Sequence, residues 1–171
     1  VYSSIITTLT SNGAKGVVAT IPSVTSIPYF TTVPYAPLTA QSIGKALAPD
    51  GSDIDTQIIY GTAAMNQANT ALYNNLDAIF TAYGEPNRVN PLNPSKANPL
   101  LIYDADAADR TAQISGALQM QGMPAGQANA FGAVFGKARQ TTAADLIVLP
   151  ASSVIGTVNN AAPAGINING V

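Results

Sequence analysis

Asp104 and Asp106 stand one residue apart at the end of an apolar run, LLIYD (residues 100–104), in a chain of 171 residues. A carboxylate pair at a strand's carboxyl end lies where open sheets place ligands, and it resembles the phosphoryl-transfer pattern D-x-D-x-[TV], which would imply that the first Asp attacks phosphorus, the second handles the proton and Mg²⁺ neutralises charge. The usual pattern continues with Thr or Val two residues past the second Asp, whereas Ala108 stands here. On the structural reading, the strand simply ends at Asp104 and a helix is capped nearby, with Asp109 and Arg110 paired on a solvated face. Ser42 and Lys45 form S-x-x-K, a spacing at which the lysine could deprotonate the serine, but no S-D-N or K-T-G accompanies it. GAVFGKA (residues 132–138) is one residue short of a phosphate loop and lacks a hydroxyl after Lys137, so it reads as a closely packed helix.

Other chemistries are excluded by residue type. The chain has no histidine and no cysteine, so neither a Ser/His/Asp triad nor a thiolate nucleophile can be assembled within it. Ser152 and Ser153 in PASSVIGT follow an apolar run without a nucleophile-elbow pattern or a base, and read as turn caps. Asp50, Asp53 and Asp55 lack the spacing of a calcium loop; Asp53 or Asp55 is expected to cap a helix. No metal or cofactor is expected.

Composition narrows the setting. Apolar residues make up 47% of the chain and charged residues only 9%, so a real core is available and Ser, Thr, Asn and Gln must carry solubility. Seven basic and nine acidic residues give a net charge of -2 and no basic stripe, which argues against nucleic acid as a partner. No run reaches the length of a membrane span, and no signal peptide or lipidation motif is evident. The low-charge, Asn/Thr-rich surface leans toward an exported protein: periplasmic, outer-membrane-associated or extracellular. The chain begins at Val1, which predicts a processed product or a piece of something longer.

These residues need elements to position them. Tyr2, Ile5, Ile6 and Leu9 recur at helical spacing, with Asn12-Gly13 as a left-handed stop. GVVATI (residues 16–21) is continuously apolar and β-branched, as in a strand covered on both faces. Residues 1–33 are therefore expected to form a core helix and strand, and residues 34–55 an irregular loop, since prolines recur from Pro22 to Pro49. The clearest helix spans 56–84, with Met65, Leu72, Leu76, Ile79, Phe80 and Tyr83 on one stripe and Gly84 as its stop. Residues 98–157 alternate strands (LLIYD; DLIVLP at 145–150) with helices at 107–121 and 125–140, and 158–171 reads as a flexible tail. Strand, helix, strand, helices, strand predicts a single α/β domain, or a fragment of one, with parallel strands.

Two longer strings add a resemblance. LTSNGAKGVVATIPSVTSIPYFTTVPYAPL together with DLIVLPASSVIGT resembles the Bacteroidetes-type branch of the SGNH (GDSL-like) serine hydrolases, which are lipases and esterases. The resemblance covers about the first forty residues and the segment 98–157. It implies a partial flavodoxin-like three-layer sandwich with a long proline-rich insertion, and action on a carboxylic ester: a lipid, a short ester or an acetylated glycan. The family's catalytic blocks match no position here. The chain is expected to be inactive alone, with missing chain segments or another subunit completing the site. On that basis the apolar loop 22–38 would line the substrate cleft through Ile27, Tyr29, Phe30 and Tyr35. Two alternatives stay open: a non-catalytic binding or structural module of an exported protein, and a Mg²⁺-dependent phosphatase-like fold using Asp104.

Overall fold

The computed structural model describes residues 2–17, 19–159 and 167–170. Its axis is one long helical rod. Asp53 starts it, accepting the Thr56 backbone N–H at 2.8 Å, and the rod runs as α4 (Ile54–Ala68), a π turn (Asn69–Tyr73) and α5 (Asn74–Ala82). Gly84 ends it at φ 79°, a left-handed conformation that glycine adopts without steric cost. Of the predicted stripe, Met65, Leu72, Leu76, Ile79 and Phe80 are buried and Tyr73 joins them, whereas Tyr83 is exposed.

Helices Ala40–Leu47 and Thr111–Met120 pack onto this rod. The first two helices are α1 (Tyr2–Thr10) and the short α2 (Pro28–Thr31). Helix α3 (Ala40–Leu47) is started by a capping box between Thr39 and Ser42 and crosses α4 where Gly44 faces Gly61. Helices α6 (Thr111–Met120) and α7 (Ala125–Phe135) form a hairpin on the other side. There Gly132 lies against Ser115 and Gly136 against Thr111, with no room for a Cβ at either glycine. The GAVFGKA glycines therefore serve close helix packing, as expected.

The α/β expectation is corrected. The described residues are 49% helical, with a two-stranded antiparallel ribbon in place of a parallel three-layer sandwich. Strand β1 (Leu101–Tyr103) pairs with β2 (Ala138–Gln140), matching Ile102 with Arg139. The reason is the connection. A parallel crossover returns the chain through one helix, but two antiparallel helices stand between these strands, so the second strand enters reversed.

Three further expectations change. Among residues 16–21, Val17 and Ile21 are 98% and 91% exposed and the backbone is irregular, because no neighbouring strand meets this apolar run; Val18 lies outside the described residues. Residues 145–150 contribute a single bridge, Ile147 to Val33, before a 3₁₀ turn at Leu149–Ser153. Helix α1 forms at the predicted place but buries nothing, so it is not a core helix.

The irregular segments are tied down by side chains that imitate backbone. Asn98, buried, donates to the carbonyls of Asn93 and Lys96 and accepts the Asn93 N–H at 2.7 Å. Its own backbone exchanges hydrogen bonds with Leu38. Gln140 pairs with the backbone of Asn90 in the same reciprocal way, and Asn69 with that of Leu92. The tail is not wholly free either: Ile168 bridges Val158 and enters the core.

Candidate binding surface

The proline-rich loop is ordered by local signals. Val24–Ser26 make a 3₁₀ turn, and Ile27 in extended conformation precedes Pro28, which opens α2 at a position where its missing N–H costs nothing. Tyr29 and Phe30 meet edge to face with ring centroids 5.0 Å apart, a favourable geometry for the two ring quadrupoles. Helix α2 then packs on the 3₁₀ turn Leu149–Ser153, and Val33 bridges Ile147. The loop ends firmly at Leu38, fully buried and pinned to Asn98.

Of the four residues expected to line a cleft, Ile27, Tyr29 and Tyr35 are exposed and Phe30 is half-buried. The packing of α2 on residues 149–153 brings the loop together with Leu146, Val148, Leu149 and Val154, all exposed large apolar residues. Tyr35 stands at the edge of a cleft of about 410 Å³ that it shares with Asn90, Lys96 and Gln140; its carbonyl accepts a hydrogen bond from Thr141 Oγ1 at 2.5 Å. Lys15 is the one charged residue among residues 1–44. Such a surface can hold an apolar or aromatic group, with polar contacts available near Tyr35.

The charged residues are committed elsewhere. Asp104 accepts from Arg139 Nε and from the Asp106 N–H, while Asp145 takes the other edge of Arg139 through two bonds of 2.8 Å. The Arg139 guanidinium beside both carboxylates holds their pKa values below the usual range. Arg110 and Arg88 likewise lower Glu85, Arg110 having the larger effect. Arg88 also donates to the carbonyls of Ala108, Gly136 and Ala138 and stacks 4.2 Å over Phe80. The expected pairing of Arg110 with Asp109 is thus replaced by one with Glu85, and Asp109 caps Thr111 at 2.9 Å.

The candidate nucleophiles are held in local hydrogen bonds: Ser42 completes a capping box, whereas Ser152 and Ser153 lie inside a 3₁₀ turn and cap nothing. Ser42 exchanges bonds with Thr39, Ser152 Oγ donates to Leu149 O at 2.7 Å, and Ser153 Oγ to Pro150 O at 2.9 Å. Among the described residues no three carboxylates gather to hold a metal ion, and no helix is long and apolar enough to cross a membrane. Sequence reasoning missed Arg139 as the hub of a charged cluster; the signal available was its place in AR next to the DLIVLP run, with an acidic residue six positions on. No family model, no curated protein and no solved structure matches the chain.

Proposed function

We propose that the chain is the substrate-facing, non-catalytic portion of an exported carboxylic ester hydrolase of the SGNH kind. Ile27, Tyr29, Phe30 and Tyr35 form one wall for the acyl or other apolar part of the ester. The serine nucleophile, oxyanion donors and histidine come from other chain segments or another subunit, since a serine mechanism needs a base that these 171 residues do not contain. One observation carries the assignment: the two strings that resemble this family are far apart in sequence yet packed together, α2 on the 3₁₀ turn Leu149–Ser153, with aromatic and aliphatic side chains left open to solvent. Among the described residues no parallel strand leads into the loop, so the wall stands on this juxtaposition.

The test compares binding with folding. Methyl octanoate titrated into the chain by calorimetry is expected to bind, and Tyr29→Ala to weaken it roughly tenfold through lost apolar contact, with little change in the thermal melt because Tyr29 is exposed. In a complete hydrolase carrying this segment, the same substitution raises KM and leaves kcat unchanged. Unchanged binding with a lowered melting temperature would make the loop plain core cover.

A second reading, a non-catalytic binding module of an exported protein, is favoured by Ser42, Ser152 and Ser153 each being held in hydrogen bonds to neighbouring backbone. It separates cleanly: such a module never acquires fluorophosphonate reactivity in any longer chain, whereas a hydrolase portion does.

A further inference from the structure

Two uncharged apolar surfaces in this chain have no partner, and they match each other. Helix α1 carries Tyr2, Ile5, Ile6 and Leu9 on one stripe, at i, i+3, i+4 and i+7 spacing; Tyr2 is 78% exposed and no residue of the helix is buried. On the body, α5 and α6 enclose a groove of about 540 Å³ whose lining includes Ala78, Ala82, Gly116, Ala117 and Met120 and no charged side chain. Met120 on its rim is 91% exposed.

We infer that α1 of one chain docks in the α5–α6 groove of a second copy, and reciprocally, giving a two-fold symmetric dimer by helix exchange. Size agrees: α1 has nine residues, and the helices walling the groove have nine and ten. Small residues in the wall allow a helix to approach closely, as Gly44 and Gly61 already do within the body. Charge agrees, because neither face carries a charge that close approach would strand. Polarity agrees too. The Gln113 carbonyl oxygen, which belongs to the groove, is buried with no hydrogen-bond partner, and a buried acceptor without a donor is costly. Helix α1 brings the Tyr2 hydroxyl on its stripe and Ser3 and Thr8 on its flanks. The described residues of the connection 11–23 are exposed and form no helix or strand, which suits a flexible reach to a neighbour.

Sedimentation equilibrium of the 171-residue chain tests this. The expected mass is twice 17.4 kDa. Leu9→Asp, on the helix, and Gly116→Asp, in the groove where a side chain meets open space, are each expected to raise the dimer dissociation constant about 100-fold or more, with unchanged helical circular dichroism. Mixing the two variants restores one of the two reciprocal contacts, the intact helix of the Gly116→Asp chain in the intact groove of the Leu9→Asp chain, so the mixture pairs more tightly than either variant alone. A wild-type chain that stays monomeric, including one whose α1 folds into its own groove, overturns the inference. So does a dimer that survives Leu9→Asp, or a mixture of the variants that fails to pair.

Discussion

Arg139 joins two carboxylates beside the ribbon, and its role can be read by pH. It bridges Asp104 at the end of β1 and Asp145 beyond β2, so it fastens the ribbon to the segment that leads to the binding surface. Both carboxylates have folded pKa values below their ordinary value of 3.8. A depressed folded pKa means stability that is fully present above the unfolded value and lost as pH falls through the folded one. Wild-type stability should therefore decline as pH is taken from about 5 to about 2. Arg139→Met should lower stability at neutral pH, where the two carboxylates are left without their cation, and flatten the acid decline. Denaturant unfolding at stepped pH measures both; a wild-type profile unaltered by the substitution would show that the cluster contributes nothing to folding.

At the scale of elements, the contact between α3 and α4 is set by two glycines. A Cβ on Gly44 would lie 1.6 Å from the Gln57 carbonyl oxygen, and one on Gly61 1.7 Å from that of Ala40. Backbone, not a flexible side chain, is what such an atom would meet, so the helices would have to separate. Gly44→Ala and Gly61→Ala are each expected to cost about 3 kcal/mol in chemical denaturation. Gly126→Ala, in α7 with open space around it and outside the α5–α6 groove, should instead stabilise by about 0.5 kcal/mol through helix propensity. The long rod was legible in sequence because Asp53, the apolar stripe and Gly84 all signal the same helix. Helix α3 was hidden between Pro37 and Pro49, where proline spacing suggested a loop although the residues between are proline-free. The strand expected at 16–21 failed for a different cause: a run of Val and Ile reports a wish for burial, and only neighbouring strands turn that into a sheet. Ile168 was missed because the alternation Ile166-Asn167-Ile168 is too short to distinguish a strand from a polar tail. At the surface, the exposed aromatics of the loop were legible one by one, whereas their packing against residues 149–153 depends on contacts across more than a hundred residues.

The whole molecule divides unevenly. The core begins at Leu38, all nine acidic residues lie from Asp50 onward, and the first helix contributes no buried residue. A helix of nine residues has little stability of its own in water, so α1 gains its order from whatever it packs against, and in the exchanged dimer that is another chain's groove. Folding of the body and placement of the arm are then separable events. Deleting residues 1–23 should leave the body's melting temperature within about 2 °C of the full chain at low concentration, because no core contact is lost. The full chain should melt at higher temperature as its concentration rises, since association stabilises the folded state by mass action. The deletion should abolish that dependence while keeping the transition cooperative. A deletion that melts far lower at every concentration would show instead that the arm belongs to the body's own core, which places α1 against its own chain and removes the basis for exchange.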